Sequence, residues 1–217
     1  MKEQNFNEQQ SLEVISRMIA ETTADIEKGS GRYFLLWGYT TVIVSLFEYF
    51  AQLYNLNTTL CLWAWFLIPI VGGLGMLIMH CTNKKSKVSR PKSYIERSIN
   101  AVWTVFGLSF AMVYIAAFVY GANILFHTVM LMGMGTVITG IICRHKVLTI
   151  SGTGSIILSL LFPVRYLIFR QMEDDAVREL GAALIYSDIL IFAVIFTIMM
   201  IIPGHILNHR AKNSHND

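Results

Sequence analysis

The chain has 217 residues, of which 54% are hydrophobic and only 14% are charged, and its mean hydropathy is +0.54. A water-soluble domain usually carries about a quarter charged residues, so this composition excludes an ordinary soluble domain and predicts a chain solvated mainly by lipid. The net charge of +3 is small, and the three cysteines form no CxxC pair, so neither a disulfide framework nor a zinc site is indicated.

The N-terminal segment predicts an amphipathic helix that lies outside the bilayer. Ser11 is a suitable N-cap, and Gly29-Ser30-Gly31 is a suitable stop. Apolar or semi-apolar side chains recur between them at a spacing typical of one helical face. This stripe consists of Leu12, Ile15, Ile19, Thr22 and Ile26. The stripe packs against the cytoplasmic ends of the spans or the headgroup layer in one interpretation. In the other it binds a partner helix, or its own copy in a dimer, through Leu12, Ile15, Ile19 and Ile26.

Six apolar runs follow, each about 20 residues long, which is the length that crosses a hydrocarbon core of roughly 30 Å. They are Tyr33–Tyr54, Leu60–His80, Ile99–Tyr120, Ile124–Cys143, Val147–Phe169 and Gly181–Ile206. The first run begins too late in the chain for a signal peptide, so we expect it to remain in the mature protein.

The basic residues orient these spans, because cytoplasmic loops retain Lys and Arg. Most of the 17 basic residues precede the first span, separate spans two and three or four and five, or end the chain. Arg165, Arg170 and Arg178 are left for the other side. Both termini are therefore predicted to be cytoplasmic.

Three stretches resemble a family of small, uncharacterised bacterial multi-span membrane proteins. They are Ser11–Ile19 (SLEVISRMI), Phe34–Tyr39 (FLLWGY) and Trp65–Gly73 (WFLIPIVGG). The similarity covers about the first half of the chain and includes no catalytic motif. It implies a location in the bacterial cytoplasmic (inner) membrane, and it implies no activity.

Four ionisable residues fall inside the predicted spans, where a charge costs about 2.5 to 3.5 kcal/mol. They are Glu48, His127, Arg165 and Asp188, each on a different span. At 1.5 Å of helical rise per residue, all four lie within about 10 Å of the outer ends of their spans. We predict an intramembrane polar cluster. In one interpretation Arg165 bridges Glu48 and Asp188 to fix helix packing, and in another the cluster handles protons or cations.

The sequence as a whole predicts an all-α protein: a polytopic transmembrane bundle of six helices preceded by a cytoplasmic amphipathic helix. The expected divisions are residues 1–32 for the N-terminal helix, 33–207 for the bundle and 208–217 for a short cytoplasmic tail. The sequence contains no catalytic motif. Ser109 and His205, the one serine–histidine combination we considered, lie at different depths in the membrane and are not expected to meet. We expect no catalytic residues, no metal, no cofactor and no nucleic-acid partner.

The function predicted from these features is that of a non-enzymatic regulatory, sensory or scaffolding membrane protein, which contacts a protein partner through its N-terminal helix or self-associates through residues 11–28. The alternative is a small proton- or cation-coupled transporter that uses the polar cluster.

Overall fold

The computed structural model describes residues 8–56, 61, 63–84, 94–120, 123–170 and 187–213, and within these ranges every regular element is helical. The helices are α1 (Glu8–Leu53), α2 (Leu67–Lys84), α3 (Tyr94–Tyr120), α4 (Ile124–Ile142), α5 (Lys146–Ser159) and α6 (Leu161–Arg170). The last helix, α7, covers residues 187–213 and contains a π-helical segment at Thr197–Ile201. The predicted all-α class is confirmed for this part of the chain.

Several helical segments are long and apolar enough to cross a membrane, as the predicted multi-span architecture requires. They are Gly31–Leu53, Arg97–Ala117, Ile124–Ile142, Lys146–Ile168 and Ser187–Arg210. These segments correspond to five of the six predicted spans.

The remaining predicted span, Leu60–His80, contains a shorter apolar helix at Leu67–Met79. Trp65 and Phe66 form a turn ahead of it, in which the Ile68 N–H reaches the carbonyl oxygen of Trp65 at 3.3 Å. Pro69 has no N–H with which to continue a regular helix back to Trp65. Between Leu56 and this turn the chain is described only at residues 61, 63 and 64, so a sixth crossing stays a prediction.

Helix α1 continues without interruption through Gly29-Ser30-Gly31, so the predicted helix stop at these residues is wrong. A Cβ added at Gly31 would lie 3.0 Å from the carbonyl oxygen of Gly204 in α7. Gly31 therefore permits a close helix crossing and does not end α1. The helix ends instead at Leu53, where Asn55 has a positive φ of 50° and the Leu56 N–H bonds the Ala51 carbonyl at 2.8 Å.

The bundle is held by two closely packed helix pairs. In the first, α1 packs against α7, with Gly31 beside Asn208 and Gly38 beside Ile201, which makes the two helices antiparallel. In the second, α4 and α5 form a hairpin in which a Cβ at Gly152 would lie 2.8 Å from the backbone nitrogen of Val137. Their turn places Arg144 at a positive φ of 54°.

The core between the helix pairs is built from large apolar side chains, and α5 also contacts α7 there. Its buried members are Phe34, Val129, Met132, Leu148, Phe162, Phe192, Ile195, Phe196, Met199, Met200 and Leu207. Aromatic contacts, such as that between Phe34 and Trp103, join α3 to this core.

Two prolines interrupt helices close to ionisable side chains. The predicted fifth span is broken at Leu160 between α5 and α6, because Pro163 cannot donate a bond to Ser159. In α7, Pro203 cannot bond the carbonyl of Met199, and the preceding turn widens to the π form, with the Ile202 N–H bonding the Thr197 carbonyl.

Candidate functional site

An ion pair joins α6 to α7. The Nε of Arg165 lies 2.8 Å from Oδ1 of Asp188, and Nη2 of Arg165 donates a hydrogen bond to Oγ of Ser187. The two charged side chains are 25% and 24% exposed. Because of the break at Leu160, α6 begins four residues before Arg165, and the ion pair at Arg165 joins this proline-interrupted span to the last helix. Here two members of the predicted polar cluster are in contact.

Glu48 occupies a different environment on α1. Its side chain is completely buried, at 0% exposure. The side chains of Gln52 and Cys61 lie against its carboxyl group. Neither carboxyl oxygen has a partner with hydrogen-bond geometry, and no ion pair joins Glu48 to Arg165 among the described residues. The described residues therefore provide no counter-charge for this buried acid.

His127 is engaged locally. It lies in the first turn of α4, where its Nδ1 is 2.7 Å from the carbonyl oxygen of Asn123. Asn123 is the N-cap, and its side chain accepts a hydrogen bond from the Phe126 N–H at 3.1 Å. The described contacts of His127 thus belong to the helix end. The predicted four-residue cluster stays a prediction, of which the structure describes the Arg165–Asp188 contact.

The predicted stripe of the N-terminal helix lies on the part of α1 that precedes Gly31. Leu12 is 67% exposed. Ile15, Ile19 and Ile26 are on the same continuous helix, and their side chains fall outside the described residues. Near the start of the first predicted span, at the end away from Glu48, Tyr39 and His205 form a hydrogen bond of 2.7 Å between α1 and α7.

Sequence reasoning missed two of the polar residues around Glu48. Gln52 follows Glu48 by four residues, which places both side chains on one face of a helix. The spacing alone could therefore have predicted that Gln52 lies beside Glu48. Cys61 belongs to another segment of the chain, and no periodicity could have located it. Within the described residues no three His, Cys, Asp or Glu side chains converge as metal ligands.

Comparisons with known proteins identify no relative. The chain matches no protein-family model, no curated protein and no solved structure. The function of this chain is therefore inferred from its own geometry, and the resemblance noted in the sequence stays a prediction.

Proposed function

We propose that this protein is a non-enzymatic integral membrane protein with a regulatory, sensory or scaffolding role. It binds a protein partner through the N-terminal part of α1. We infer that the protein lies in a bacterial cytoplasmic membrane. Both termini are in the cytoplasm, because most Lys and Arg residues lie in the termini and in the loops predicted on the same side of the membrane as the termini.

The observation that carries the proposal is the continuity of α1, a single helix of 46 residues from Glu8 to Leu53. A helix without a hinge transmits displacement or rotation of its membrane part to its projecting part. A flexible linker at Gly29-Ser30-Gly31 would have uncoupled the two, so the uninterrupted helix favours a role in communication between the bundle and a partner.

The length of the projection supports the same role. Gly31 lies beside Asn208 and Gly38 beside Ile201, so in this antiparallel register Asn213, the last described residue of α7, is level with Ile26. The segment Glu8–Asp25 therefore extends past the described end of α7 by about 27 Å of helix. It includes the stripe residues Leu12, Ile15 and Ile19, which need a surface to cover them.

A photo-crosslinking experiment in native membranes tests the proposal. A crosslinking amino acid is placed in the full chain at Leu12 or Ile19 on the stripe, and at Arg17 or Glu21 on the opposite face. We expect the stripe positions to yield one adduct of discrete mass and the opposite positions to yield none. Adducts of equal yield from both faces, or from neither, would contradict the proposal.

Matched charge substitutions separate binding from helix stability. Ile19→Glu and Ala24→Glu each add one carboxylate to the same helix, the first on the stripe and the second on the polar face. We expect Ile19→Glu to abolish the adduct formed from Leu12 and Ala24→Glu to preserve it. An adduct that survives both substitutions would assign the contact to another surface.

A further inference from the structure

Two acids lie inside the predicted spans, and their surroundings differ in one decisive respect. Asp188 has the guanidinium of Arg165 at 2.8 Å. Glu48 is fully buried. The described side chains against its carboxyl group are the uncharged amide of Gln52 and the thiol of Cys61. An ionised carboxylate without a counter-charge costs far more in such a place than a neutral acid, because one amide and one thiol replace its hydration only in part.

In the part of the chain that the structure describes, the titratable groups on the elements around Glu48 bring no positive charge to its carboxyl group. The segment before α2 contributes Cys61, whose thiol faces the carboxyl group. Helix α7 contributes Asp188, paired with Arg165, and His205, which bonds Tyr39 about 13 Å along α1 from Glu48. Helix α3 contributes Tyr114, whose ring contacts Phe66. None of these contacts brings a cation to the Glu48 carboxyl.

The chemistry of the side chains around Glu48 also indicates which ligand this site suits. A Ca²⁺ ion requires six to eight oxygen ligands, and a zinc site requires at least three protein ligands. The described residues near Glu48 supply one carboxyl group, one amide and one thiol, and no group of three His, Cys, Asp or Glu side chains is present among the described residues. A proton needs none of these additional ligands, because it bonds covalently to one carboxyl oxygen.

We propose that Glu48 is a proton-binding site within the membrane interior. Its carboxyl group is protonated in the folded protein and exchanges this proton with the aqueous phase on the side of the membrane where α1 ends. The distance supports exchange from that side, since Glu48 precedes the end of α1 at Leu53 by about 8 Å of helix. The neutral acid donates its O–H to the Gln52 amide oxygen or to Cys61. This site goes beyond partner binding by α1 and does not depend on it.

Infrared spectroscopy of the full chain in bilayers of ether-linked lipids, which contain no ester carbonyl groups, tests the protonation state directly. A protonated carboxylic acid has a carbonyl stretching band that a carboxylate lacks. At neutral pH we expect this band in the wild type and its loss in Glu48→Gln. The double variant Arg165→Gln/Asp188→Asn is the matched control, because it removes the paired charges together, and it should retain the band. Absence of the band from the wild type, or its persistence in Glu48→Gln, would overturn the proposal.

Exchange is tested on the same sample by changing the solvent. Transfer to deuterated buffer should shift the band, and alkaline buffer should remove it reversibly. A band that neither deuterated nor alkaline buffer affects would show a permanently trapped proton and would overturn the exchange that we propose.

A chemical probe covers the case in which Glu48→Gln does not fold. A hydrophobic carbodiimide adds a protonated carboxyl group across one of its C=N bonds, and the adduct is located by mass spectrometry of the wild-type chain. We expect labelling at Glu48 that falls to background in alkaline buffer, and none at Asp188. Labelling at Asp188 in place of Glu48, or labelling of Glu48 that is independent of pH, would overturn the assignment.

Discussion

The α4–α5 hairpin and helix α3 belong to one bundle but are held by different kinds of contact. In the hairpin, Gly133, Gly140 and Gly152 bring the backbones of the two helices together. Helix α3 instead turns a regular apolar stripe outward, with every member at least 58% exposed: Val105, Leu108, Met112, Ile115 and Val119. Acyl chains are as apolar as these side chains, so hiding them gains little. The comparison teaches that close backbone packing, more than apolar burial, stabilises this bundle.

The largest effect on stability is expected in the hairpin. A Cβ at Gly140 would lie 2.6 Å from the backbone nitrogen of Thr149 and 2.9 Å from Cβ of Leu148, neither of which is the mobile end of a side chain. Gly140→Ala should therefore reduce the free energy of unfolding by about 3 kcal/mol. Unfolding in mixed micelles, followed by circular dichroism, measures the change.

Gly154→Ala is the control for this substitution. Gly154 lies in the same hairpin, and nothing is within 4 Å of its added Cβ. Alanine forms helix more readily than glycine, so this variant should be as stable as the wild type or more stable by up to about 1 kcal/mol. Equal losses of stability in the two variants would show that the close approach is not what stabilises the hairpin.

A smaller effect is expected where α1 crosses α7. A Cβ at Gly38 would lie 2.9 Å from Cγ1 of Ile201 and 3.0 Å from Cβ of Met200. Because these side chains can shift partly, Gly38→Ala should cost about 1 to 2 kcal/mol in the same unfolding measurement. Gly73→Ala, where nothing lies within 4 Å, provides the comparison. If Gly38→Ala unfolds like the wild type, α1 and the π-helical segment are not in close contact.

The smallest effect is expected on the outward face of α3. Leu108→Ala and Met112→Ala should each change the free energy of unfolding by less than about 0.5 kcal/mol, because lipid surrounds these side chains in the folded and unfolded states. Phe192→Ala, at a buried core position, should cost measurably more than either of these two, because it leaves a cavity inside the bundle. A loss at Leu108 comparable with that at Phe192 would mean that another protein surface covers α3, which size-exclusion chromatography with light scattering would detect.

The sequence predicted most of the fold because hydrophobic length is a local property. The spans from Ile124 and from Val147 were located closely by hydropathy, and the Arg144 turn between them by its polar residues. Gly31 was misassigned because a glycine that ends a helix and a glycine that admits a second helix look alike until the partner, here Gly204, is known.

The candidate site shows the same boundary between local and long-range information. Helical rise gives the depth of a side chain, and Arg165 and Asp188 were placed at similar depth for that reason. Rise does not give the direction in which a side chain faces around the bundle, which depends on how all the helices are arranged. The expectation that Arg165 bridges Glu48 and Asp188 needed that arrangement, as did the position of Cys61 against Glu48.

The π-helical segment Thr197–Ile201 sets the rotational phase between the two halves of α7. One residue of an α-helix accounts for about 100° of rotation, and a π turn holds one residue more than an α turn. Asp188 before the segment meets α6, and Gly204 after it meets α1. If α7 were a regular α-helix throughout, the extra residue would rotate one half against the other by about 100°, whereas the π turn takes it up and leaves the two halves in phase. One helix therefore keeps both its ion pair with α6 and its glycine crossing with α1.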